Sequence, residues 1–308
     1  MKILLASPRG FCAGVNRAVE TLDAVLRRDT GPVYALHEIV HNRRVVEYFQ
    51  ERGVLFVDSL DDVPLGATTL FSAHGVAPQI RATAAKRNLK TIDATCPLVE
   101  RVHRLAKKYA ENGYHIFYIG HAAHQEVIGT LGEAPEQMTL VTSVEEVERL
   151  AISPNAKLTY LMQTTLSCFE AEKIVAALKA KFPTLTEPDN AGICFATRYR
   201  QDAVARLLPE SDALVVVGSA NSSNSRRLAE LGQAAGKRTL LIDDEKALDA
   251  NDFSAGQTVL LTAGASAPEI IVQNCAEWFR RSFGAIIEER VVHKENIAFK
   301  KPEILLRQ

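Results

Sequence analysis

The sequence lacks an excess of charge of either sign. Among its 308 residues, 36 are Lys or Arg and 37 are Asp or Glu, a formal net charge of −1. That balance excludes the broad electrostatic footprint of a nucleic-acid or acidic-membrane binder, so an anionic ligand must be held by a local site. No apolar run approaches the roughly 20 residues that a membrane helix needs. The opening MKILLASPRGFCAG is too short in its apolar part for a signal peptide, and Pro8 and Arg9 interrupt it. A cytoplasmic protein with no nucleic-acid or membrane partner is expected. There is no GxGxxG after a strand and no GxxxxGK[ST], so neither a dinucleotide site nor a P-loop is signalled. CxxC is absent, which removes zinc ribbons and thioredoxin-type motifs. Low-complexity stretches and repeats of fixed period are absent too. Cysteine is scarce, with five residues. In a reducing compartment these are metal ligands, catalytic groups or core residues before they are disulfides.

What is present is strand and helix in alternation. Apolar strands are expected at Lys2–Ala6, Thr69–Phe71, His115–Ile119, Leu158–Met162, Ala213–Val217, Thr239–Ile242 and Val259–Thr262. Between them the pattern predicts helices over Val15–Arg28, Pro97–Glu111, Phe169–Lys181, Ser225–Ala235 and Pro268–Phe283. Short buried strands alternating with amphipathic helices imply parallel α/β layers, with sites at the carboxyl ends of the strands. Small, hydroxyl, imidazole and thiol groups gather at those ends: SPRGFCAG, HGVAP, HAAHQE, TTLS, SANSSNS and ASAPE.

Cys12, Cys96 and Cys194 lie in RGFCAG, DATCPL and GICFAT, 84 and 98 residues apart. The spacing implies three α/β units of similar size, each offering one thiol to a common centre: 1–96, 97–193 and 194–283. The tail, 284–308, is charged and reads as a strap that packs back on the first unit. Thiolates at helix starts gain from the N-terminal amides, and Pro97 after Cys96 matches the Cys-Pro pairing found around iron–sulfur ligands. Cys168 and Cys275 sit in ordinary apolar helical patterns. Taken singly, each of the five also reads as a small buried hydrophobe.

His41, His74 and His124 each follow a strand-like segment, among small or polar residues. One such histidine reads as a core residue; three in equivalent places point to a shared pocket. His121 and His124 also have a helical metal-pair spacing, a zinc alternative left open. Thr164 to Ser167, Ser222 to Ser225 and Ala265 to Pro268 each precede an expected helix. Capping explains one hydroxyl per helix; four polar residues in a row favour anion binding by hydroxyls and helix-start amides. Glu126 is either a first-turn helix acid or, beside His124, a proton donor.

Taken in order, RGFCAGV, HEIVHN, FSAHGV, DATCPLV, GHAAHQEVIGT, QTTLS, GSANSSNS and TAGASAP resemble the 4-hydroxy-3-methylbut-2-enyl diphosphate reductases, the last enzymes of the non-mevalonate isoprenoid route. The likeness runs from Met1 to roughly Asn274, and ENIAF in the tail is also similar. It implies three α/β domains with parallel-rich sheets, arranged as a cloverleaf around a central [4Fe–4S] cluster. Cys12, Cys96 and Cys194 match the cluster ligands, which leaves one iron open. His41, His74, His124, Ser222, Ser223, Asn224 and Ser266 match the diphosphate pocket, Glu126 the proton source and Thr164 its hydroxyl partner near the substrate alcohol. Members of the family use two electrons and two protons to expel the allylic hydroxyl as water, giving isopentenyl or dimethylallyl diphosphate. The chain shows no place for a nicotinamide or flavin, so a ferredoxin or flavodoxin is the expected donor. Asn16 stands where relatives often carry Asp, and HAAHQE replaces HAGHPE, with Glu126 still in register. Two rivals stay open: an iron–sulfur sensor, which would need a basic or DNA-reading element, and a cluster-dependent dehydratase, which moves no net electrons.

Overall fold

The structure, a computed structural model, describes residues 1–153, 156–189 and 192–300. In chain order β1 (Lys2–Ser7) leads into α1 (Ala13–Arg28), followed by β2 (Val33–Leu36), α2 (Arg43–Gln50), β3 (Val54–Val57), β4 (Thr68–Phe71), α3 (Pro78–Lys86), β5 (Lys90–Asp93) and α4 (Pro97–Glu111). Next come β6 (Tyr114–Ile119), α5 (Gln125–Leu131), β7 (Met138–Val141), α6 (Val144–Arg149), β8 (Lys157–Met162) and α7 (Cys168–Lys181). The last part holds α8 (Phe195–Leu207), β9 (Ala213–Val217), α9 (Ser223–Ala234), β10 (Arg238–Ile242), β11 (Thr258–Ala263), α10 (Glu269–Phe283) and β12 (Ile286–Val291). No helix among the described residues is long and apolar enough to cross a membrane.

Every pairing between these strands is parallel. Three sheets result, ordered β10-β9-β11-β1-β12, β3-β2-β4-β5 and β7-β6-β8. Two compact units contain them: residues 1–16, 40–51 and 195–298 hold the five-stranded sheet. The other unit, 17–39 and 52–194 with Phe299 and Lys300, holds the two smaller sheets.

The period-2 alternation of a strand sorts each sheet's side chains onto two covered faces. In the five-stranded sheet Ile3, Leu5, Val215, Val217 and Leu261 pack with Val272, Cys275 and Phe279 of α10. Their neighbours Leu4, Ala6, Leu214, Val216 and Leu260 pack on the other face with Val204 and Leu207 of α8 and Leu228 of α9. In the three-stranded sheet Phe117, Ile119, Tyr160 and Met162 meet Ile174 and Leu178 of α7. On its opposite face Ile116, Tyr118 and Leu161 meet Val102 of α4 and Val127 of α5. Truncating one such Leu or Ile to Ala costs about 2–5 kcal/mol. Helix ends follow local chemistry: Pro78 and Pro97 occupy first-turn positions of α3 and α4, Asn42, Ser143, Ser167 and Ser222 cap four others, and Gly284 ends α10 in the left-handed region at φ +61.

Two expectations change. β1 does not join β2 to β5, as a first unit over 1–96 implied; it lies between β11 and β12. Its core is apolar on both faces, which suits a central strand but does not say which sheet it enters. The tail also contains a regular strand, β12, along β1. Its charged IIEERV is an edge pattern, with Glu288 paired to Lys2 and Glu289 to Arg9. Residues 301–308 of that tail lie outside the described residues.

Candidate active site

In the first unit β9, β11 and β1 are neighbours, so their carboxyl-end loops lie side by side. The three loops are tied through one residue. Ala265 accepts from the Cys12 amide at 3.1 Å and donates its own N–H to Asn224 Oδ1 at 2.8 Å. Cys12 itself stands directly before α1, and Asn224 in the first turn of α9. The Ser266 hydroxyl donates to the His41 carbonyl at 2.8 Å and lies 3.4 Å from Ser222 Oγ. Ser222 caps α9 by accepting from the Ser225 amide at 3.3 Å. Ser225 is packed between two glycines: a Cβ on Gly218 or Gly264 would come within 2.2 or 2.0 Å of its hydroxyl. Thus Ser222 and Ser225 of the polar run build the helix start, and Ser223 and Asn224, both buried, complete its first turn.

The second unit holds His74, Cys96, His124, Glu126, Thr164 and Cys194. The Cys96 amide donates to the Ala73 carbonyl at 3.0 Å, one residue before His74. His74 and His124 meet edge to face, with ring centroids 5.6 Å apart. His124 caps α5: its Nδ1 accepts from the Glu126 amide at 3.2 Å, which places the proton of the neutral ring on Nε2. Glu126 is 2% exposed, and burial pushes its carboxyl up from 4.5 to about 7, against two opposing bonds from Thr164. Those bonds come from the Thr164 amide at 2.6 Å and its hydroxyl at 2.8 Å. The Thr164 carbonyl in turn accepts from the Cys194 amide at 3.2 Å. One residue therefore holds both a buried acid and a thiol-bearing turn.

All five cysteines are thiols, none in a disulfide. Cys12, Cys96 and Cys194 are each partly exposed and each directly precede a helix, α1, α4 and α8. Cys275 is buried in the core, which pushes its thiol up to about 12 and opposes a thiolate there.

Relatives share this chain from end to end. The family described as LytB protein matches residues 3–280. The chain belongs to the LytB family. Within it, the 4-hydroxy-3-methylbut-2-enyl diphosphate reductase of Rhodopirellula baltica is 50% identical over 99% of this chain and 96% of its own. The enzyme of the same name from Acidithiobacillus ferrooxidans is 46% identical over 100% and 98%. The solved E-1-hydroxy-2-methyl-but-2-enyl-4-diphosphate reductase from Plasmodium falciparum superposes with a TM-score of 0.94 at 37% identity, covering 98% of this chain and 95% of its own.

In this LytB chain the parts played by Ala265, Gln163 and Arg200 are not announced by the motifs that contain or flank them. Ala265 acts through its backbone, which no side-chain pattern announces. Gln163 is fully buried, its Oε1 accepting from the His121 amide at 3.0 Å and its Nε2 donating to Thr165 at 2.8 Å. Arg200 is fully buried on α8. Its signal was available: Ala196, Arg200, Val204 and Leu207 recur at helical spacing, which puts an arginine on an apolar face.

Proposed function

We propose that this chain reduces 4-hydroxy-3-methylbut-2-enyl diphosphate, breaking the allylic C–O bond with two electrons and two protons. The oxygen leaves as water, and isopentenyl and dimethylallyl diphosphate are the products. The observation that carries the reading is the Glu126–Thr164–Cys194 chain, a proton-bearing acid built on the turn that carries a thiol.

Cys12, Cys96 and Cys194 are assigned as ligands of a [4Fe–4S] cluster. Their chemistry fits: three soft thiol donors outside the core, each at a helix start, with no fourth cysteine in such a place except Cys168, the first residue of α7 and already inside a helix capped by Ser167. Among the described residues no three His, Cys, Asp or Glu side chains lie close enough to share a single metal ion. A cluster does not ask for that, because each thiolate binds a different iron. When bound, the cluster supplies electrons singly and an open, Lewis-acidic iron.

The chain's own residues bind and protonate. Ser223, Asn224 and the remaining first-turn amides of α9, with Ser222, Ser266 and His41, hold the diphosphate. His124 donates from Nε2, and His74 serves beside it. The diphosphate, remote from the reacting carbon, positions the alcohol. Glu126, near half-protonation at neutral pH, delivers a proton to the leaving oxygen, and Thr164 orients the carboxyl. The protein works in the cytoplasm with a ferredoxin or flavodoxin as donor.

The test is anaerobic turnover with a titrated reductant. Two electrons should be consumed per substrate, and inorganic diphosphate should compete. Cys12→Ser, Cys96→Ser and Cys194→Ser should each lose most iron, sulfide and activity, whereas Cys168→Ser and Cys275→Ser keep them. Product without electron consumption would make this a dehydratase. Equal cluster loss in Cys275→Ser would overturn the ligand assignment.

A further inference from the structure

Among the described residues Arg200 is the largest side chain fully closed off from solvent, and all five of its N–H donors are engaged. Nε and Nη2 donate to the Gly10 carbonyl at 3.2 and 2.8 Å. Nη1 donates to the Ala196 carbonyl at 2.9 Å and to Glu295 Oε1 at 2.7 Å, and Nη2 reaches Glu295 Oε2 at 3.0 Å. A planar fork is thereby saturated by a carboxylate on one side and a loop carbonyl on the other, an arrangement Lys cannot reproduce.

Gly10 stands two residues before Cys12. It takes φ +64, and a Cβ there would sit 3.1 Å from the Ala267 carbonyl. On its inner side the loop hangs from β11 and the turn after it, by Gly10 N–H to Ala263 at 3.3 Å and Cys12 N–H to Ala265 at 3.1 Å. Arg200 takes the Gly10 carbonyl. The tail delivers the carboxylate that holds Arg200. β12 runs beside β1 up to the Ser7–Val291 pair, and the Val292 amide still donates to the Ser7 carbonyl at 2.8 Å. Three residues later Glu295 meets the guanidinium.

We propose that Arg200 and Glu295 form a clasp that positions Cys12, with Arg200 the positioning residue and the tail carboxylate its counter-ion. This rests on Cys12 being a cluster ligand, and it assigns the tail a role in holding that ligand. The clasp has an electrostatic consequence as well as a geometric one. Glu295 neutralises a buried positive charge that would otherwise favour the electron-rich, reduced cluster.

The test uses the full-length parent, Arg200→Lys and Glu295→Gln, each prepared with the cluster and without it. In cluster-free protein, iodoacetamide labelling of Cys12 is followed by peptide mass mapping, with buried Cys275 as the internal reference. Both variants should label Cys12 roughly tenfold faster than the parent, the ratio set by losing one charge-assisted hydrogen bond. Both should lose iron faster to a chelator. Glu295→Gln alone should move the cluster's reduction potential to more positive values, a shift that a merely loosened structure does not produce. Parental labelling, iron retention and potential in both variants would overturn the clasp. If Arg200→Lys yields no folded protein, Glu295→Gln decides alone by the same readouts. A Cys12→Ser protein that keeps its cluster would instead sink the ligand assignment, and the labelling rates would still judge the clasp.

Discussion

A carboxyl group proposed to give up a proton near neutral pH should not keep its ordinary affinity, and Glu126 does not. Burial raises it from 4.5 to about 7. The linkage has a definite sign. Below about pH 4.5 the folded and unfolded chains are both protonated there and the site carries no penalty. Between about 4.5 and 7 the folded chain holds the extra proton, so stability falls as pH rises. Above 7 the buried carboxylate costs the fold on the order of 3 kcal/mol. For catalysis the same titration removes the donor, so turnover should decline as pH rises through about 7. Glu126→Gln should keep iron, sulfide and substrate binding while turnover falls at least about a hundredfold. Near-normal turnover would take Glu126 out of the mechanism. Thr164→Val removes the hydroxyl bond, one of the two contacts that favour the charged form, and leaves the amide in place. A hydrogen bond to a charged group is worth ~1.5–3 kcal/mol, so the alkaline limb of the pH–rate profile should move up by about one to two units. A limb that stays put or moves down would show that this bond does not set the acid's affinity.

At the scale of elements, Cys12 and Cys194 each follow, by two residues, a glycine that makes the turn possible. Gly192, two residues before Cys194, takes φ +139, and a Cβ there would lie 2.1 Å from the Met162 carbonyl at the end of β8. Gly192→Ala should therefore destabilise the protein by at least about 2 kcal/mol and cut cluster retention, read as a lower unfolding midpoint and a lower iron content. An alanine variant with parental values for both would mean that the turn is not closely packed. Much at this scale is legible in the sequence. The strands at Ala213–Val217 and Leu158–Met162, the helix at Pro97–Glu111 and the polar gatherings at strand ends all follow from local pattern. The short β2, β3 and β7, four residues each, escaped notice. Met138–Val141 shows why: its two middle residues are only partly buried, and four residues are too few for a period to show. β12 escaped for the related reason that an edge strand can afford charge.

At the scale of the whole molecule, spacing of cysteines was a fair guide to the number of sheets and a poor one to their membership. Whether β1 pairs with its sequence neighbours or with strands more than 250 residues away depends on partners, not on KILLAS itself. The division of the candidate residues between two units built from non-adjacent segments is likewise a property of the whole chain. One global absence, however, was readable from the start and leads to a prediction. A reductase must obtain its electrons, and this sequence contains no GxGxxG and no other recognisable cradle for a nicotinamide or flavin. Its net charge of −1 gives no long-range attraction for a protein donor, so docking must rely on a local, small and transient contact. Purified holoprotein with substrate and NADPH alone should form no product. Adding an NADPH-dependent reductase together with ferredoxin or flavodoxin should start turnover, and the rate should fall as ionic strength rises, because short-range charge guides such encounters. Robust product formation with NADPH alone would mean that the chain holds a reductant site of its own and would sink this reading of the electron path.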